Sequence, residues 1–270
     1  MTKNNRDITL HILQKILVVL LIILMIIFQY VDFHFFAEAQ DAEMAVNSIS
    51  RFLGGLVFVI VIIGFGYRWI FKSSNIWKSM IIIIPALIIS INNFPIIAFF
   101  DGRAVLTEPT YRVFLFLIEC LSVGFFEEII FRGILLVFLI NKLSEVKHGV
   151  LLAILISSAL FGLSHVFNIL NGAGIVDTLM QIGYSFLVGM MWSVMFLRTG
   201  NIWLTMLLHA TFNFFGQVMF NLGTVDGRYD IYTVVITISF VVMVAFYSMM
   251  LYQQFEKNRS FMRLNSIMSK

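Results

Sequence analysis

Long apolar blocks separated by short polar connectors constrain this chain's fold more than any single motif. A helix needs roughly 20 mostly apolar residues to cross the hydrocarbon core of a bilayer, about 30 Å thick. Blocks of that kind lie at about 12–31, 52–71, 79–100, 111–142, 149–167, 177–198, 202–220 and 231–252. In hydrocarbon every backbone N–H and C=O must find its partner inside the protein, and apolar blocks of this length do so as helices. The expected fold is all-α: a polytopic transmembrane helical bundle of about eight spanning helices, one integral membrane domain over residues 1–270. Composition agrees, with 60% hydrophobic and 12% charged residues, where a soluble domain carries about 25% charged. The net charge of +3 gathers near the block ends. It speaks of membrane orientation, so the expected surroundings are the lipid bilayer and no nucleic acid is expected as a partner. Cys120 is the single cysteine, so no intrachain disulfide can form. Pro85 and Pro95 are expected to kink the third block, and the long fourth block to bend near Gly124.

Eight spans return both termini to one side. Lys3, Arg6, Lys15, Arg68, Lys72, Lys78, Lys142, Lys147, Arg198, Lys257, Arg259, Arg263 and Lys270 fall on that side; Arg51, Arg103, Arg112 and Arg228 fall on the other. The ratio is 13 to 4, and Arg132 inside the fourth block completes the 18 basic residues. The richer side is cytoplasmic by the positive-inside rule, so both termini are expected there, in an integral cell membrane protein. The run Ile16–Phe28 after Lys15 has a signal-peptide look, but Ala39 lies well beyond its end and Asp32 intervenes. A retained first helix is the expectation.

Polar groups at membrane depth are rare and usually functional. Glu119, Glu127, Glu128 and Arg132 lie inside the fourth block, His165 in the fifth and His209 in the seventh. Glu128 and Arg132 are four residues apart and share a helical face, so they are expected to form an ion pair. Glu127 points about 100° away from Glu128 and is left to face a cavity. A carboxylate short of water is a stronger base, which suits general-base work. A buried ion network that only fixes helix register is the structural alternative. His209 and Asn213 are also four apart, putting an imidazole and an amide on one stripe. Counting about 1.5 Å per residue, Glu127, His165, His209 and Asn213 lie roughly 21, 22, 12 and 18 Å from the inner ends of their helices. That is one broad layer near mid-membrane. A carboxylate and an imidazole there can poise a water, and a second imidazole with an amide can stabilise an oxyanion. Two histidines and a glutamate can also bind zinc, but the helical H-E-x-x-H pattern is absent.

Three motifs stand in order on separate blocks: EEIIFR at 127–132, FGLSH at 161–165 and HATFN at 209–213. Together they resemble the E-E-x-x-x-R, F-x-x-x-H and H-x-x-x-N motifs of the CPBP family (CAAX-processing and bacteriocin-processing, or Abi) of intramembrane proteases. The resemblance covers about 111–215, a CPBP-like catalytic core. It implies a glutamate-dependent, metal-independent endopeptidase without cofactor. Glu127 corresponds to the water-activating base and His165 to its partner. His209 and Asn213 correspond to the oxyanion-binding pair, with Glu128, Arg132 and Phe161 in supporting positions. The implied partner is a peptide or protein substrate at the membrane. Family roles include peptide maturation and bacteriocin self-immunity. Two other classes stay open at this stage. One is a non-catalytic membrane scaffold or immunity protein that keeps the polar layer for packing; the other is an ion-coupled carrier, against which no repeated half with broken helices is found. Trp69, Trp77, Trp192 and Trp203 are expected mostly as interfacial anchors near span ends, and Gly183 and Gly189 as points of close helix approach.

Overall fold

A computed structural model describes residues 36–72, 76–227 and 231–268, with isolated positions between 12 and 27. Most of the expected first span, 12–31, lies outside the described residues. The remaining elements are α1 (Ala39–Gly64), α2 (Ile76–Asn92), α3 (Ile96–Phe100), β1 (Ala104–Leu106), α4 (Thr110–Glu128), α5 (Val137–Lys142), α6 (Gly149–Ser164), α7 (Ile175–Thr199), α8 (Ile202–Asn221), β2 (Gly223–Val225) and α9 (Ile231–Met268). A π-helical segment, Ile129–Leu136, joins α4 to α5, and a 3-10 segment, His165–Asn171, follows α6. Four stretches are long and apolar enough to cross a membrane: Ala39–Gly64, Gly149–Leu170, Ile175–Thr199 and Ile238–Lys257. The chain is therefore a helical protein with several membrane-crossing helices; α4, which carries Arg112, Glu119, Glu127 and Glu128, is not among the four.

Helix α8 sits at the centre of the bundle. It packs on α4 and α2; α1 lies on the far side of α4, α6 packs on α7, and α9 on α7. Gly124 lets α4 and α8 close up, because a Cβ there would lie 2.7 Å from the Met206 carbonyl oxygen. The irregularity in the fourth block is therefore not a bend at Gly124 but the π segment after it. There the Phe131 carbonyl accepts the Ser157 hydroxyl at 2.9 Å, tying the segment to α6.

Three boundaries differ from the apolar pattern. Helix α1 starts at Ala39, ahead of the expected 52, and ends at Gly64. Its polar first half is helical because α4 satisfies it: Arg112 Nε donates to Asp41 Oδ1 at 2.6 Å, and Asn47 and Arg51 donate to Glu119 Oε1 at 3.3 and 2.9 Å. The third block is two helices, since α2 runs through Pro85 but stops at Asn92, and Pro95 precedes α3. Proline disfavours helix in the residue before it, and Asn93 Nδ2 instead donates to the Phe212 carbonyl at 3.0 Å. The expectation of helix alone also missed a short ribbon, in which β1 pairs antiparallel with β2, Ala104 facing Val225 and Leu106 facing Gly223. Segments this short carry no periodicity; their partners are far apart in sequence and are brought together by α4 and α8.

Candidate active site

Glu127 and Glu128 end α4, and their different directions divide their surroundings. Glu128 is fully buried and meets Arg132, also fully buried, with Nη1 2.6 Å from Oε1. Arg132 Nη2 donates to the Gly189 carbonyl on α7 at 3.2 Å. The guanidinium lies over the Phe161 ring at 4.7 Å and the Trp192 ring at 5.3 Å. Such contacts matter most where water is excluded. Glu127 keeps 23% of its side chain exposed and lines a cavity.

His209 of α8 bridges the two acids. Its Nδ1 is 2.9 Å from Glu128 Oε1, and its Nε2 is 3.5 Å from Glu127 Oε2. Trp192 stacks on the imidazole at 4.3 Å between ring centres and 22° between planes.

Phe161 links the halves of the site. Its ring meets His165 edge-on at 5.4 Å and His209 edge-on at 5.7 Å. His165 begins the 3-10 segment and is half-buried. Glu127, His165, His209 and Asn213 all line the same cavity of about 220 Å³. Ser164 is turned away, its hydroxyl donating to the Phe161 carbonyl. Among the described residues no three His, Cys, Asp or Glu side chains are arranged to hold a metal ion.

Several site features were not legible beforehand. Trp192 is no interfacial anchor: it is 1% exposed and forms the floor under His209. Gly189 does permit close approach, since a Cβ there would lie 3.1 Å from Phe161 and 3.3 Å from Arg132, whereas Gly183 faces open space. Glu119 pairs with Arg51, and both line the cavity. The expected close approach at Gly189 was a signal for the α7 contribution. Nothing in the order of residues announces the Arg51–Glu119 pair.

Apolar helices enclosing a carboxylate–imidazole–guanidinium cluster at depth define a membrane protein with an interior polar site. Residues 109–215 match the family model of type II CAAX prenyl endopeptidase Rce1-like proteins. This is a protease family, and it agrees with the resemblance carried by the three motifs. The matched segment runs from the start of α4 to within α8 and contains the whole cluster. No curated protein and no solved structure matches the chain.

Proposed function

We propose that the chain is an intramembrane endopeptidase of about eight spans that hydrolyses a peptide bond of a membrane-associated protein or peptide, using a water activated by Glu127. The observation that carries this reading is the convergence of Glu127, His165, His209 and Asn213, from three helical elements, on one cavity. Glu127 takes a proton as the water oxygen attacks the peptide carbonyl carbon, and His165 helps orient that water. The carbonyl oxygen becomes an oxyanion, held by the Asn213 amide and by His209. Glu128 and Arg132 act through position: Glu128 fixes His209 by Nδ1, which leaves Nε2 to face Glu127 and the cavity. When the intermediate collapses, the C–N bond breaks and Glu127 returns its proton to the leaving amine. Peptide maturation and bacteriocin self-immunity are roles in which such an activity serves.

Glu127→Gln is the test. It keeps the shape and removes the base, so a product found in membranes holding the native chain is absent with the variant, while folding and insertion are unchanged. An identical product pattern with Glu127→Gln overturns the endopeptidase reading.

A further inference from the structure

The cavity extends from Glu127 toward one end of the bundle, and the charge pattern says which side of the membrane that end faces. From Glu127 the cavity walls run toward the starts of α1, α4 and α7 and the ends of α6 and α8: Arg51, Glu119, Asn168, Gln181, Gln217 and Asn221. His209 and Asn221 are about 18 Å apart along α8 at the usual rise per residue, so the opening reaches one edge of the bundle. In the other direction the bundle is plugged. Ile62, Ile70, Leu136, Phe196 and Ile202 pack there, none more than 1% exposed.

The two ends differ in charge. The plugged end carries Arg68, Lys72, Lys78, Lys142, Lys147, Arg198 and Lys257. The described basic residues of the open end are Arg51, Arg103 and Arg112, and each is ion-paired: to Glu119 at 2.9 Å, Asp101 at 2.7 Å and Asp41 at 2.6 Å. Glu38, Glu43, Asp177 and Asp226 add acid there. Basic residues are retained on the cytoplasmic side, so the end with three described basic residues belongs opposite the end with seven.

We infer that the cavity opens to the extracytoplasmic face. Building on the endopeptidase reading above, its substrates are then peptide segments exposed at the outer leaflet or delivered there after translocation. A bond exposed only to the cytoplasm cannot reach Glu127.

The experiment labels single cysteines in a Cys120→Ser background with a membrane-impermeant maleimide. Asn221→Cys reports the rim and Lys147→Cys the plugged end; Thr224→Cys on β2 is a second rim site should the first variant not accumulate. The expected result is full labelling of residues 221 and 224 in intact cells, with residue 147 labelled only after lysis. Labelling of 147 in intact cells, or of the rim sites only after lysis, overturns the inference. The same labelling repeated with Glu127→Gln is unchanged, because access needs no hydrolysis. Loss of the endopeptidase reading would therefore show in product formation and not in this assay.

Discussion

Replacing Arg132 with methionine tests whether the buried pair holds the site together. The substitution keeps an unbranched side chain but removes the contact to Glu128 at 2.6 Å and the bond to the Gly189 carbonyl. It also removes the cation that lies against the Phe161 and Trp192 rings. Glu128 is then left fully buried with only His209 beside it. Removing one partner of a buried pair destabilises by about 3–5 kcal/mol, because the remaining charge is uncompensated. Native stability is only about 5–15 kcal/mol, so this is a large fraction. The unfolding free energy in mild detergent, followed by steric trapping, should fall by that amount. The double variant Glu128→Gln/Arg132→Met should regain most of it, since the stranded charge is gone. The double variant should not regain cleavage, because His209 loses the carboxylate that orients it. A single variant within about 1 kcal/mol of the native chain, the range of an exposed pair, would refute the reasoning.

Asn213→Ala should lower kcat by about 10²–10³, as loss of one oxyanion donor does, with KM little changed in steady-state peptide cleavage. Gly124→Ala places a methyl 2.7 Å from the Met206 carbonyl oxygen; α4 and α8 must part, and overpacking of this kind costs about 1–3 kcal/mol in the same unfolding measurement. Cleavage should persist unchanged in excess chelator, since every step is assigned to side chains; inhibition that zinc reverses would point to a metal in the cavity instead.

Much of the site was legible because helical geometry is local. The four-residue spacings of Glu128 to Arg132 and His209 to Asn213 put each pair on one stripe whatever the neighbours do. Depth along each helix likewise brought Glu127, His165 and His209 to one layer. Helix ends were less legible, because they depend on partners. The polar start of α1 reads as loop until Arg112 and Glu119 on α4 are there to meet it, and the third block reads as one helix until Pro95 breaks it.

The order of residues alone determined that this chain forms long apolar helices, that they carry ionisable groups at depth, and which groups those are. Backbone hydrogen bonding and the low polarity of lipid leave no other state for such blocks. Only the tertiary structure decided what those groups do to one another: that His209 stands between two glutamates, that Trp192 is its floor, and that Glu127, His165, His209 and Asn213 line one cavity. Rotation and spacing of whole helices set these contacts, and both come from close approaches such as Gly124 to Met206 and Gly189 to Phe161, between residues distant in the chain.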